Sequence, residues 1–111
     1  MRLVAEQNGE ILVVRAMEDR IDAACAIQFK DRMREITQDN CPRVVLDMAR
    51  VAFLDSSGLG AVVAVMKALA PDRRLELSGL TANVQKVFRL TRMDSVFVIH
   101  AEVPDGLRHA G

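Results

Sequence analysis

Residues 44–60 read VVLDMARVAFLDSSGLG, and this stretch decides the fold. Residues 43–48 form a run of mostly β-branched and other apolar residues, which predicts a buried strand. After the polar segment Asp55-Ser56-Ser57-Gly58, residues 59–70 are rich in alanine, leucine and methionine and predict a helix. A buried strand that leads into an apolar helix is typical of α/β proteins with a parallel sheet.

Two further helices are predicted on either side of this stretch. The first is expected to have Asp22 as its N-cap. Its apolar residues recur at helical spacing: Cys25, Phe29, Met33 and Ile36. The third helix is expected to be capped by Thr81. Its apolar face is expected to contain Val84, Val87 and Phe88.

The remaining apolar runs predict strands at residues 3–6, 11–14, 75–77 and 96–99, with a hairpin turn at Asn8-Gly9 between the first two. Strands that alternate with helices imply a mixed, mostly parallel sheet of four to five strands with about three helices packed on it. The N-terminal hairpin adds an antiparallel edge. We expect one α/β domain over residues 1–103 and a loose polar tail over residues 104–111.

Composition argues against several classes of protein. Fifteen basic and fifteen acidic residues cancel, and tryptophan and tyrosine are absent, so binding to nucleic acid or to a membrane surface is not expected. The longest run of apolar and glycine residues, 58–66, is far shorter than the ~20 residues that span a bilayer. The N-terminus has no signal-peptide pattern, and Cys25 and Cys41 have no metal or CxxC spacing, so a reducing cytoplasm is expected.

The polar segment between the strand and the apolar helix is the candidate site. Asp55 or Ser56 is the expected N-cap of the helix, where a side-chain oxygen accepts from a free backbone N–H. A phosphate on a serine here would meet the positive end of the helix dipole. Gly58 and Gly60 expose backbone and allow another surface to approach. The plainer interpretation of the same four residues is an ordinary helix cap.

The helix that follows is apolar on all sides. One stripe suffices for the core: Leu59, Val62, Val63, Met66 and Leu69. The opposite face consists of small or apolar residues: Gly60, Ala61, Ala64, Val65 and Ala68. Such a helix is either fully buried or has a docking face, and a domain this small has difficulty burying it completely. We therefore expect the second face to bind a partner.

No catalytic constellation is visible. His100 and His109 are the only histidines, and no GxSxG motif surrounds either serine, so a hydrolase is not expected. Asp47 and Asp55 have no histidine or cysteine beside them to complete a metal site. No glycine-rich phosphate loop with a lysine is present. We expect neither an enzyme nor a bound metal or cofactor.

Residues 44–60 closely resemble the signature of STAS domains, and in particular of the single-domain anti-sigma-factor antagonists. Residues 20–24, 77–80, 84–93 and 96–97 are similar to other parts of the same family, so the resemblance covers nearly the whole chain. The chain departs from the family in two respects. Arg20 stands near a position where the family often has glycine, and the second helix is less charged than usual.

The resemblance implies a partner-switching cycle. The unphosphorylated antagonist would bind an anti-sigma factor that is also a serine kinase with the histidine-kinase-like ATPase fold, and would thereby release a sigma factor. The kinase would then phosphorylate Ser56 and dissociate, and a PP2C-type phosphatase would restore the antagonist. The expected partner-binding residues are Asp22, Asp55, Ser57, Gly58, Gly60, Ala61, Ala64 and Val65.

A second role remains open, that of a STAS subunit in a lipid-transport ATPase or a stress-signalling scaffold. A purely structural subunit would be suited by a residue at position 56 that blocks phosphorylation. The serine at this position therefore favours the switch.

Overall fold

A five-stranded mixed sheet organises the computed structural model, which describes residues 1–38 and 41–104. The strands are β1 (Leu3–Asn8), β2 (Ile11–Ala16), β3 (Arg20–Ile21), β4 (Arg43–Asp47), β5 (Phe53–Leu54), β6 (Arg74–Ser78) and β7 (Ile99–His100). The helices are α1 (Ala26–Ile36), α2 (Ser56–Leu69) and α3 (Ala82–Leu90), with a 3-10 turn at Met93–Ser95.

The main sheet has the strand order β1-β2-β4-β6-β7. Only the β1–β2 pair is antiparallel, and Gly9 makes its turn at a φ of 66°, a conformation that glycine adopts without strain. The predicted α/β fold, with a mostly parallel sheet and an antiparallel N-terminal edge, is therefore confirmed. The expected tail falls almost wholly on residues 105–111, which lie outside the described residues, so the domain boundary stays a prediction.

The three helices cover one face of this sheet. Phe29 and Met33 of α1, Val62 of α2 and Phe88 of α3 are all completely buried there. Each of these side chains contributes about 1.5–3 kcal/mol through burial. Strand residues of the opposite parity point to the other face, where a small cluster contains Ile11, Val13 and Val45, with Val103 packed against it.

A second, two-stranded sheet was not predicted. β3 and β5 pair in parallel, with Ile21 opposite Leu54. Because the carboxyl ends of parallel strands meet at the same edge, the residues that follow, Asp22 and Asp55, become neighbours. This small sheet thus brings together the two segments that carry these residues, and the Asp55 side chain accepts from the Ala23 N–H, 32 residues away in the sequence.

Two predicted boundaries were wrong. α1 begins at Ala26 with Cys25 at its N-cap position, and Asp22 instead closes the turn before it by accepting from the Ala24 N–H at 3.1 Å. The last strand is Ile99–His100, because Met93–Ser95 forms a 3-10 turn and Phe97 turns inward against Phe88, with ring centroids 5.8 Å apart.

Candidate functional site

The Asp55 carboxylate joins the start of α2 to the loop after β3. Its backbone is extended, and its Oδ1 accepts from the Gly58 N–H at 2.8 Å, so Asp55 and not Ser56 is the N-cap. Its Oδ2 accepts from the Ala23 N–H at 3.2 Å. One side chain therefore fixes the geometry between the two segments, and loss of such a cap typically costs about 1 kcal/mol.

Ser56 and Ser57 are the first two residues of α2, and both are exposed. Their backbone N–H groups belong to the first turn and have no intrahelical acceptor. The hydroxyls therefore lie at the positive end of the α2 dipole, where a phosphate group is electrostatically favoured. The site is chemically suited to modification at a serine.

Gly58 is needed by internal packing. It is buried, and a Cβ there would lie 2.8 Å from the carbonyl carbon of Ile21 and 2.8 Å from Cδ1 of Leu54. The prediction that Gly58 opens the backbone to a partner was wrong, because β3 already occupies that space. Gly60 differs, since it is exposed and a Cβ there would meet nothing within 4 Å.

The faces of α2 also differ from the prediction. Ala61 and Val65 are only 3% and 6% exposed and belong to the core, so their assignment to an exposed docking face was wrong. When a helix is apolar on all sides, its sequence does not show which face is buried. Here that face follows from the contact of Gly58 with β3.

The remaining residues of the predicted docking face are more accessible. Ala64 is half-buried and Ala68 is exposed. An accessible stripe therefore runs along α2 from the two serines: Ser56, Ser57, Gly60 and Ala64.

Sequence reasoning missed the roles of Arg20 and Phe53, which pair with each other across β3 and β5. The Arg20 Nε lies 2.8 Å from Oδ2 of Asp22, and its guanidinium carbon lies 4.9 Å from the centroid of the Phe53 ring. Phe53 is 45% exposed. In a two-residue strand Leu54 points inward and Phe53 outward, and the pairing of Arg20 with Phe53 completes a cation–π contact. A large aromatic residue two positions before a helix cap was the available signal.

The other candidate groups have structural roles. Asp47 accepts from the Ala49 N–H at 3.0 Å and lies 3.4 Å from the Arg15 guanidinium. His100 contacts the buried Glu76, with 2.7 Å between Nε2 and Oε1. Within residues 1–38 and 41–104, no group of three His, Cys, Asp or Glu side chains is placed to hold a metal ion. Over the same residues, no helix is long and apolar enough to cross a membrane.

The carboxyl group of Glu76 has a strongly lowered pKa. Burial raises the pKa of its carboxyl, but hydrogen bonds from Arg43, His100 and Arg74 outweigh it and hold the pKa at about 2. Arg43 donates twice, from Nε and Nη2, each at 2.8 Å. The carboxylate therefore stays ionised in the folded protein at neutral pH.

The family model described as "STAS domain" matches residues 2–106, so this chain belongs to the STAS domain family. It is 24% identical over 104 residues to the anti-sigma-F factor antagonist RsfB of Mycobacterium tuberculosis, a match that covers 94% of this chain and 84% of that protein. The solved anti-sigma factor antagonist of Mycobacterium paratuberculosis superposes with a TM-score of 0.83 at 23% identity, over 96% of this chain and 90% of that one.

The Bacillus cell fate determinant SpoIIAA, solved in its phosphorylated form, superposes with a TM-score of 0.65 at 20% identity. That match covers 99% of this chain and the whole of the other. The expectation drawn from residues 44–60, that the chain resembles single-domain anti-sigma-factor antagonists, is confirmed.

Proposed function

We propose that this chain is an anti-sigma-factor antagonist in a partner-switching pathway and acts in the cytoplasm without catalysis of its own. Its unphosphorylated form binds an anti-sigma factor, and phosphorylation of Ser56 ends that binding. The observation that supports this most is the pair of hydrogen bonds that the Asp55 side chain accepts from the Gly58 and Ala23 N–H groups, here called the Asp55 clamp. It fixes the start of α2 against the loop after β3 and leaves the Ser56 hydroxyl exposed. Relatives that are themselves anti-sigma factor antagonists support the same function.

The proposed contact area, here called the switch surface, comprises Asp22, Asp55, Ser56, Ser57, Gly60 and Ala64. Asp22 and Asp55 already bond within the protein, so their role is to shape the surface and give it negative charge. Gly60 lets a partner approach the α2 backbone closely, since beyond its chain neighbours and the adjoining helix backbone no atom lies within 4 Å of its Cβ position. This combination suits a partner surface with complementary positive charge.

The partner is proposed to be a serine kinase of the histidine-kinase-like ATPase fold, and a PP2C-type phosphatase is proposed to reverse its action. Ser56 and Ser57 are consecutive in α2, so their side chains point about 100° apart. A kinase that aligns one hydroxyl with the γ-phosphate misplaces the other. Only one of the two is therefore the acceptor, and the resemblance to STAS-domain antagonists, in which the modified serine directly follows the aspartate, implies Ser56.

The test is to incubate the protein with the serine-kinase anti-sigma factor of its own genome and ATP, and to locate the phosphate by fragmentation mass spectrometry. Ser56→Ala is expected to abolish phosphorylation and Ser57→Ala to reduce it only partly. Both positions are exposed, so each variant is the folding control for the other. Phosphate found mainly on Ser57, or none in the presence of a bound kinase, would contradict the proposal.

The binding surface has its own test in calorimetric titration with that partner. Ala64→Glu places a charge on the α2 stripe, one turn beyond Gly60, and is expected to weaken binding by about 2 kcal/mol or more. Ala82→Glu, at an exposed position that begins α3, is the matched control and is expected to bind normally. Equal affinity of both variants would remove α2 from the switch surface.

A further inference from the structure

A cleft of about 370 Å³ lies between the C-terminal halves of α1 and α2. Its floor is apolar and consists of α2 residues: Ala64, Val65, Ala68 and Leu69. The alanines at 64 and 68 lie one helical turn apart and leave the cleft open because their side chains are short. This volume falls within the range of small-molecule sites, which typically start at about 300 Å³.

The rim of the cleft is positively charged. Lys30 and Arg34 of α1 and Arg73, which follows α2, line it, and none of the lining residues within 1–38 and 41–104 is acidic. Lys30 has no ion pair or hydrogen bond from its side chain within residues 1–38 and 41–104. Arg34 pairs with Asp31 at 3.1 Å, an exposed contact that leaves it accessible. The Arg73 guanidinium donates to the carbonyl of Thr37, which fixes its charge at the rim.

We propose that this cleft binds a small amphiphile with a single alkyl chain and an anionic head group. The chain would lie on the alanine floor, where burial of CH₂ groups is favourable. The head group, a carboxylate or a phosphate, would lie between Lys30 and Arg34 and give Lys30 an anionic partner, which it lacks within the described residues. A cationic amphiphile is repelled by the same rim, and a fully polar anion gains nothing from the floor.

This site does not depend on the proposed partner switch. Its floor begins at Ala64, eight residues along α2 from Ser56, which is about 12 Å of helix. Ala64 alone belongs to both the cleft and the switch surface. Ligand binding to the unphosphorylated protein, without any partner, therefore tests the cleft separately from the switch.

The first experiment is a titration of the ¹⁵N-labelled protein followed by amide chemical shifts. Octanoate and octyl phosphate are expected to shift residues of the cleft, and the tighter of the two identifies the preferred head group. Octanoate is expected to bind roughly tenfold more tightly than hexanoate, which has two CH₂ groups fewer. Octan-1-ol and octylammonium are expected to bind much more weakly. Shifts outside the cleft, or an alcohol that binds as tightly as the anions, would overturn the proposal.

Two variants, each with a matched control, test the site itself. Lys30→Glu is expected to lower affinity at least tenfold, whereas Lys86→Glu, at an exposed position on α3, is expected to leave it unchanged. Ala68→Phe fills the exposed end of the floor and is expected to abolish binding, whereas Ala82→Phe is expected to have no effect. If Lys30→Glu binds octanoate as well as Lys86→Glu does, the site is not the cleft, whatever the folding of Ala68→Phe.

Discussion

Two carboxylates, Asp55 and Glu76, show how differently this domain uses negative charge. Asp55 lies at an accessible edge, and its oxygens accept from two backbone N–H groups. Glu76 is 1% exposed, on the face of β6 away from the helices, and accepts from Arg43, Arg74 and His100. The buried negative charge of Glu76 is tolerated because these three side chains already form hydrogen bonds with it. The edge site can receive additional charge because solvent surrounds it, and that is what a phosphorylation switch requires.

The largest effect is expected where a carboxylate enters the interior without partners. Val65→Glu buries an ionised group among apolar residues of α2 and the core and should destabilise folding by about 4 kcal/mol or more, or unfold the domain. Ala68→Glu, on the exposed side of the same helix, should stay within about 0.5 kcal/mol of the parent. Urea unfolding followed by circular dichroism measures both. A well-folded Val65→Glu protein would show that the core assignment of α2 is wrong.

The next effect comes from removing the interior carboxylate. Glu76→Gln keeps the size of the side chain but weakens hydrogen bonds to charged donors, and should cost about 2–3 kcal/mol in the free energy of unfolding. The same carboxylate makes stability depend on pH. Its pKa is about 2 when folded, below the ~4.3 of an unfolded glutamate, so its stabilisation is complete above about pH 5 and is lost as the pH falls toward 2.

The stability difference between the parent and Glu76→Gln should therefore shrink between pH 5 and pH 2, as measured by urea unfolding at each pH. A difference that stays constant over this range would mean that the pKa of Glu76 is not lowered in the folded protein. Glu6→Gln serves as the control, because Glu6 is an exposed carboxylate whose contact with Arg15 is long, at 3.6 Å.

The sequence alone predicted only part of the role of each carboxylate. The strand pattern of Leu75-Glu76-Leu77 predicts that Glu76 faces away from the helices, as it does. Its burial depends on Arg43 and His100 from neighbouring strands, and strand pairing cannot be read from local periodicity. Asp55 was predicted because a cap is a local feature. Asp22 was grouped with Asp55 only through the family resemblance, because β3 and β5 have two residues each, too few to show a period of two.

The orientation of α2 shows the same limit. Strong contrast between apolar and charged faces made α1 and α3 predictable, with Phe29, Met33, Val84 and Phe88 all buried as expected. In α2 nearly every residue is apolar, so the pattern could not distinguish Ala61 from Ala64, and the close contact of Gly58 with Ile21 decides between them. Contacts between distant segments, and not composition, set this part of the switch surface.

At the edge, removal of the clamp should have a moderate effect on stability and a larger one on binding. Asp55→Ala loses the hydrogen bonds to Gly58 and Ala23 and should cost about 1–2 kcal/mol in the free energy of unfolding. Asp55→Asn keeps an oxygen acceptor and should recover most of that stability. If partner binding stays lost in Asp55→Asn, the charge is required. If Asp55→Asn restores binding, Asp55 acts only by positioning the start of α2.

The smallest effect on folding is expected from phosphorylation of Ser56. The phosphate adds about −1.5 to −2 charges near the start of α2, where the helix dipole favours an anion by about 0.3–1 kcal/mol. Repulsion from Asp55 opposes this but is screened by solvent, so the free energy of unfolding should change by less than about 1 kcal/mol.

The effect of the same phosphate on partner binding should be much larger. At the interface the phosphate must lose water against a surface that accepts a neutral hydroxyl, and an unpaired buried charge costs several kcal/mol. That cost is enough to dissociate a complex of micromolar affinity, which corresponds to about 8 kcal/mol in total. Thermal melting and calorimetric titration of both forms should therefore give nearly equal melting temperatures with binding lost. A large melting shift, or amide shifts spread beyond the start of α2, would show that phosphate acts by remodelling the domain and not by exclusion from the partner.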